Sequence, residues 1–283
     1  MNILITGSTG FIGIHLKQKL LNIKNYSIFE LNRNRADIAL KEIQLKKIDH
    51  VIHLAAKSFV PESWKNPYLF YRTNVLGAVN VLEFCRKNKC DLTALSSYIY
   101  GKPKYLPINE KHPMRPFNPY SHSKILSEKL YNYYRENFNL RINILRPFNI
   151  YGPGQKDIFV IPKIIKQLLD KKFKHIELYD SKPKRDYLYI DDLIDAIVKT
   201  IKKNNNSTYN VGYGTSISVE DIAKIIIKSA GIQKEIVENS AKRKNEIMDV
   251  VADITKIKEE LSWYPKIDFQ TGIEKCIKSY KKN

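Results

Sequence analysis

The sequence is poor in the residues that build metal centres and disulfide frameworks. Its three cysteines, Cys85, Cys90 and Cys276, form an odd count at no metal-ligand spacing. That fits reduced thiols in a cytoplasmic chain, not a cross-linked extracellular scaffold. The six histidines include no H-E-x-x-H or comparable pair, so no structural or catalytic metal is expected. Long hydrophobic runs are missing too. No stretch reaches the roughly 18 apolar residues of a membrane-spanning helix. The chain opens Met1-Asn2-Ile3-Leu4-Ile5-Thr6-Gly7, without a basic and then apolar leader, and secretion is not expected. Acid is scarce against base: 48 Lys and Arg face 29 Asp and Glu, a net charge of +19. Such a surplus can attract nucleic acid, anionic lipid or acidic small molecules. Here it is spread along the chain in short clusters such as Lys46-Lys47, Lys242-Arg243-Lys244 and Lys281-Lys282. No recognition module is interleaved with them. The surplus reads as a solvated lysine surface, with no nucleic-acid and no membrane partner.

What remains is an ordinary globular composition, 43% hydrophobic and 27% charged over 283 residues. It excludes a disordered, collagen-like or coiled-coil chain and suits one large domain or two intimately packed ones. The first segment carries most of the information. Asn2–Thr6 is an apolar run of strand length. Gly7-Ser8-Thr9-Gly10-Phe11-Ile12-Gly13 follows, and then Ile14–Leu21 at helical spacing. Strand, glycine turn and helix form a dinucleotide-binding unit. The glycines allow a tight turn and close approach of a pyrophosphate, and the helix N-terminus offers unpaired N–H groups to it. A second strand, Tyr26–Leu31, leads to Asn32-Arg33-Asn34-Arg35. An acid near Asn32 would bind the adenosine ribose of NAD. Arg33 and Arg35 could instead hold the 2′-phosphate of NADP, so both cofactors stay open.

Further strands are expected at Asp49–Ala56, Asp91–Leu95 and Leu140–Leu145, with a helix over Asn74–Phe84. His53 reads as a packed strand residue. A proline-rich loop over 101–119 precedes a long helix to about Phe138. On it Tyr120 and Lys124, four residues apart, share one face. Strands alternating with helices argue for a parallel, doubly wound sheet. Beyond Gly154 the pattern changes to a helix over Ile158–Leu169, a helix over Leu193–Lys202, a strand at Tyr209–Gly212, and small helices with a strand from Ser218. No repeat and no linker is visible.

Seven pieces in order resemble the extended short-chain dehydrogenase/reductase family, specifically its enzymes of nucleotide sugars. They are Thr6-Gly7-x-x-Gly10-Phe11-Ile12-Gly13, His53-Leu54-Ala55-Ala56, Asn74-x-x-Gly77, Ser96-Ser97-x-x-Tyr100-Gly101, Tyr120-x-x-x-Lys124, Arg146-Pro147-Phe148-Asn149 and Arg185-Asp186-Tyr187. The resemblance covers nearly the whole chain. It implies an α/β fold: a doubly wound parallel Rossmann sheet with a smaller C-terminal α/β substrate-binding lobe. Residues 1–150 and 186–212 would form the dinucleotide-binding domain. Residues 151–185 and 213–283 would form the nucleotide-sugar-binding lobe.

The resemblance also implies roles. Tyr120 is the expected acid/base, Lys124 its charged partner and ribose ligand, and Ser96 the donor to the reacting sugar oxygen. Gly7, Gly10, Phe11, Ile12, Asn32, Arg33, Asp37, Ile38, Leu54, Ala55, Ala56, Asn74 and Pro147 are expected to hold NADP or NAD together with Tyr120 and Lys124. Ser97, Asn149, Arg185 and Arg243 are expected to touch the nucleotide-diphosphate sugar. For Arg185 the structural alternative is a salt bridge with Asp186 or Asp191. The related 4,6-dehydratases follow the catalytic hydroxyl with an Asp-Glu pair. Here the pair is Ser97-Tyr98, which leaves no acid to expel a C6 hydroxyl.

Two features favour a 4-keto reductase over a 4-epimerase: the short connection from Asn32 to Asp37, and the segment Lys242–Met248 with Ala252-Asp253-Ile254. Asn118-Pro119-Tyr120 and Arg146–Gln155 suit either. A non-catalytic binding subunit is disfavoured because Ser96, Tyr120 and Lys124 are all present. A homodimer through the helices near Val75–Phe84 and Lys124–Tyr134 is the family expectation.

Overall fold

In the computed structural model the described residues are 1–32, 37–40, 42–45, 47–239 and 246–281. Arg33, Arg35 and Arg243 lie outside them. In chain order the elements begin with β1 (Asn2–Thr6), α1 (Phe11–Leu21), β2 (Ser27–Leu31), β3 (His50–His53), α2 (Val60–Lys65) and α3 (Pro67–Phe70). A π-helical turn (Tyr71–Leu76) runs into α4 (Gly77–Asn88). Next come β4 (Asp91–Leu95), α5 (Pro119–Asn137), β5 (Ile142–Pro147), β6 (Asn149–Tyr151), α6 (Val160–Leu169) and β7 (Ile176–Tyr179). They are followed by β8 (Lys184–Arg185), β9 (Tyr187–Tyr189), α7 (Ile190–Lys202), β10 (Thr208–Val211), β11 (Ile217–Ser218), α8 (Val219–Ala230) and β12 (Ile236–Asn239). Two helices close the chain, α9 (Thr255–Leu261) and α10 (Phe269–Tyr280).

Six strands form one parallel sheet in the order β10-β5-β4-β3-β1-β2. The chain winds outward from β1 in one direction and then returns to build the other half, which is the doubly wound arrangement. The strands are continuous apolar runs because both faces are covered. Along β1, Ile3 and Ile5 pack on one side with Leu16 and Leu20 of α1 and Leu193, Ile194 and Ile197 of α7. Leu4 points the other way, to Val81, Leu82 and Cys85 of α4 and Tyr131 of α5. This is the period-two alternation of a strand. The remaining strands pair outside the main sheet: β6 with β9, β7 with β12, and β8 with β11.

Several boundaries differ from the sequence reading. The strand expected over Asp49–Ala56 ends at His53, so Leu54, Ala55 and Ala56 form the turn that leaves it. The helix expected from Asn74 begins earlier, as α2, α3 and a π turn before α4. The strand expected at Leu140–Leu145 is shifted to Ile142–Pro147, which carries Arg146 into the ladder. Cys85, Cys90 and Cys276 are free and buried.

Candidate active site

The C-terminal ends of β1, β3, β4 and β5 lead into Gly7, Leu54, Ser96 and Pro147, four of the residues singled out above. At the end of β1, Gly7 turns with φ +75°, and a Cβ there would meet the backbone of Ala55 at 2.8 Å. A Cβ on Gly13 would stand 2.3 Å from the Gly7 carbonyl oxygen. These positions must be glycine for the turn to close. Gly10 is the N-cap of α1, without a side chain to satisfy the first N–H groups. The Oγ of Ser8 is buried on the same turn and has no hydrogen-bond partner. A backbone cradle, an uncapped helix start and an orphaned hydroxyl fit the diphosphate of a dinucleotide. Phe11 and Ile12 open α1. Ala55 N–H donates to Thr6 Oγ1 at 3.3 Å, and Thr6 Oγ1 meets His53 Nδ1 at 2.8 Å. That ties the turn after β3 to β1. His53 is buried, and its burial, then the nearby Lys124 charge, holds it down to about 3. It is a neutral packing residue, as its strand position implied.

Asp37 lies near the end of β2. It accepts from Ala39 N–H at 3.0 Å and pairs with Arg72 at 3.3 Å. Ile38 is buried, and its carbonyl accepts from Asn80 Nδ2 at 2.7 Å. Asn74 sits in the π turn, an arrangement frequent at functional sites. Its side chain clamps the Lys57 backbone, with Lys57 N–H donating to Oδ1 at 2.8 Å and Nδ2 donating to Lys57 O at 3.1 Å. The same Nδ2 donates to Ser123 Oγ at 2.8 Å. The π turn, the turn after β3 and α5 are thus locked together.

Helix α5 starts with a full capping box between Asn118 and Ser121, with Pro119 at its first position. That start is well stopped, and it sets the pitch on which Tyr120 and Lys124 share a face. Lys124 is buried, and its Nζ donates to the Leu95 carbonyl at 2.6 Å. Burial holds its ammonium down to about 8, with Glu128 acting the other way. Burial raises the Tyr120 phenol above its ordinary value, and the nearby Ser97 hydroxyl opposes that rise. Ser96 follows directly after β4. Its Oγ, like that of Ser97, is buried without a formed hydrogen bond. A buried hydroxyl without a partner, as at Ser96, can still donate to a ligand oxygen. Pro147 ends β5 against Val211.

Of the remaining residues expected to touch substrate, Asn149 lies on β6 and Arg185 on β8. Asn149 N–H donates to Asp186 O at 3.0 Å. Arg185 forms neither of the ion pairs considered as its alternative. Its guanidinium pairs with Glu246 and donates to the Ile247 carbonyl at 2.6 Å. Asp186 is fully buried and accepts from the N–H groups of Tyr213, Gly214 and Ala252 at 2.6, 2.9 and 3.1 Å. Burial nevertheless pushes its carboxyl up to about 6.

One feature was not legible in the sequence. Glu128 lies one turn beyond Lys124 and is paired with Arg146 at 2.6 Å, both nearly excluded from solvent. Arg146 also donates to Tyr100 Oη at 2.9 Å. The spacing Tyr120-Lys124-Glu128 was the one available signal. The loop residues Asn32, Leu54, Ala55 and Ala56 are partly exposed.

A six-stranded parallel sheet, a glycine turn and a Ser-Tyr-Lys set at its C-terminal edge define a dinucleotide-dependent short-chain dehydrogenase/reductase of the extended kind. The chain belongs to the family described as GDP-mannose 4,6 dehydratase, whose profile matches residues 39–276. It is 33% identical to a Methanocaldococcus jannaschii protein provisionally assigned as a UDP-glucose 4-epimerase, over 99% of both chains. It is 28% identical to the GDP-6-deoxy-D-mannose reductase of Pseudomonas aeruginosa, over 98% of this chain and 96% of the other. Among solved structures, RMD from Pseudomonas aeruginosa complexed with NADPH superposes with a TM-score of 0.92 at 26% identity, covering 99% of each chain.

Proposed function

We propose that the protein reduces the C4 keto group of a nucleotide-linked 4-keto-6-deoxy sugar, using NADPH or NADH. The observation that carries this reading is buried Ser96 and Lys124 together with the partly exposed Tyr120, with Ser97 and Tyr98 beside Ser96. It can deliver a proton to a C4 oxygen but offers no carboxylate for removal of the C6 hydroxyl. When bound, the nicotinamide cofactor would supply the hydride for C4. Ser96 Oγ donates to the carbonyl oxygen and holds it. Tyr120, whose raised phenol keeps its proton at neutral pH, transfers that proton to the same oxygen as it becomes an alkoxide. The product is a C4 alcohol, and Tyr120 is reprotonated from solvent. Lys124 stabilises the phenolate left behind and contacts the nicotinamide ribose.

In this reading Gly7, Gly10, Phe11, Ile12, Asn32, Asp37, Ile38, Leu54, Ala55, Ala56, Asn74 and Pro147 hold the cofactor. Arg33, outside the described residues, would reach an NADP 2′-phosphate. Asn149, Arg185 and Ser97 hold the sugar nucleotide, with Arg243, also outside the described residues, completing the set. Arg185 suits a diphosphate because its fork binds two oxygens at once, in exchange for Glu246. Residues 151–185 and 213–283 form the substrate lobe. A second copy would pack on α4 and α5, where Leu76, just before α4, and Tyr133 are half exposed.

The second reading is a 4-epimerase. The relation to the Methanocaldococcus protein favours it, and the same three side chains serve it with retained NAD. Denaturing the purified protein and weighing the released nucleotide separates the two. Protein that purifies empty and is stabilised by NADPH or NADH supports the reductase. Stoichiometric NAD supports the epimerase.

A further inference from the structure

The buried pair next to Lys124 has no part in the chemistry just described, yet it is densely hydrogen-bonded. Glu128 lies on α5 one helical turn after Lys124. Its two oxygens accept from Arg146 Nε at 3.0 and 3.1 Å, and one of them also accepts from Nη2 at 2.6 Å. Arg146 enters from β5. Its Nη1 donates to Tyr100 Oη at 2.9 Å and to the Glu110 carbonyl at 3.1 Å, and the guanidinium lies over the Tyr100 ring at 5.3 Å. Tyr100 Oη in turn donates to Asn210 Oδ1 on β10. α5, the loop before it, β5 and β10 are joined through this one guanidinium.

A buried ion pair is weak evidence for stability, because desolvation takes back much of the Coulomb gain. Its location is therefore informative. Lys124 donates to the Leu95 carbonyl and makes no hydrogen bond to Glu128. Had the carboxylate closed on Lys124, the ammonium donors would be consumed and unavailable to a ribose or to a phenolate. With Arg146 absorbing both oxygens, the carboxylate acts on Lys124 only through the low-dielectric interior, where charges interact strongly.

We propose that Glu128 and Arg146 are positioning residues for Lys124: Arg146 anchors the carboxylate, and the carboxylate keeps the buried ammonium charged while leaving its donors free for ligand. The inference rests on the reading of Lys124 as part of the active site.

Around Lys124, Glu128 and Tyr120 come from its own helix and His53 from β3, with Arg146 behind Glu128 on β5. His53 is held neutral by burial and adds no charge. Burial lowers Lys124 and Glu128 raises it, so loss of the carboxylate drives the lysine toward its neutral form.

The test is the titration of Lys124 in protein labelled with ¹³C at lysine Cε, assigned by the disappearance of its signal in K124R, alongside the pH profile of kcat/KM. In E128Q the Lys124 midpoint moves down by about one pH unit, a tenfold change in its charged-to-neutral ratio. The basic limb of the profile moves with it, and E128D restores both. Because E128Q leaves Arg146 buried and unpaired, the charge-balanced E128Q/R146M is measured as well, and it also lowers the midpoint. A Lys124 midpoint that stays at the wild-type value in folded E128Q or in the double variant overturns the proposal, whatever happens to thermal stability. The NMR titration needs no turnover. A wrong substrate assignment therefore leaves it readable, and a midpoint shift without activity would separate the failure of the functional reading from that of this one.

Discussion

Replacing Gly13 and Gly10 separately by alanine should damage the protein in two different ways. A Cβ at Gly13 would lie 2.3 Å from Gly7 O, 2.7 Å from Ser8 Cα and 2.8 Å from Ser8 C. All three atoms are backbone, and ordinary contact begins near 3.4 Å. The turn and α1 must therefore separate by about 1 Å. Overpacking of this kind costs roughly 1–3 kcal/mol, which for a chain of this size lowers Tm by roughly 2–12 °C. The same movement carries the turn away from a bound diphosphate, so NADPH affinity should fall about 10- to 100-fold.

At Gly10 the nearest atom is Gly7 O at 3.3 Å, and φ is −77°. Alanine fits there with an adjustment of a few tenths of an ångström, so Tm should change little. Its methyl would nevertheless stand at the uncapped start of α1, where a phosphate must approach the N–H groups. NADPH affinity should fall more than tenfold. Thermal unfolding and fluorescence titration with NADPH on both variants supply the four numbers. A Gly10→Ala protein that binds NADPH like wild type would refute the assignment of this turn to the cofactor, and equal Tm losses in the two variants would refute the geometry.

Three further outcomes are expected. Tyr120→Phe should lower kcat by about 100-fold or more, the usual weight of a general acid, while NADPH affinity stays within a few-fold; near-wild-type turnover would remove Tyr120 from the chemistry. Arg185→Ala should raise KM for the sugar nucleotide about tenfold or more, with a smaller change in kcat, since the lost bonds serve bound substrate and transition state alike. Unchanged KM would leave Arg185 as a partner of Glu246 alone. Stability should also fall as pH drops from about 6.5 toward 3. Burial, then the Arg141 charge, holds His50 to about 3, and burial, then the Lys124 charge, does the same for His53. Both folded values lie below the unfolded one, so the stabilisation is complete above 6.5 and is lost toward 3, at most roughly 5 kcal/mol for each ring. His50→Asn should flatten the Tm-against-pH slope over that range.

Local pattern made much of the fold readable in advance. β1, α1 and α5 each combine an apolar period with a start signal, such as Asn118-Pro119 before Tyr120; β1 and α5 stand where those signals place them, and α1 begins three residues early, at Phe11. Short ladders such as β8 with β11, and β7 with β12, pair segments far apart in sequence and leave no comparable trace. The π turn around Asn74 was hidden because its apolar spacing resembles that of the α-helix it joins. Long-range polar contacts were equally hidden. Nothing near Arg185 in sequence points to Glu246, and nothing near Glu128 points to Arg146, because sheet closure and not spacing brings these partners together. Tyr120, Lys124 and Ser96 were singled out by family resemblance, which adds what periodicity lacks.

The most direct test of the central claim is the absorbance of NADPH or NADH at 340 nm when a nucleotide-linked 4-keto-6-deoxyhexose is added to the purified enzyme. Reduction at C4 predicts one cofactor oxidised per sugar converted, with the activity lost in Tyr120→Phe. Constant absorbance with every base-linked form of the sugar, accompanied by NAD released only on denaturation, would contradict the reductase reading.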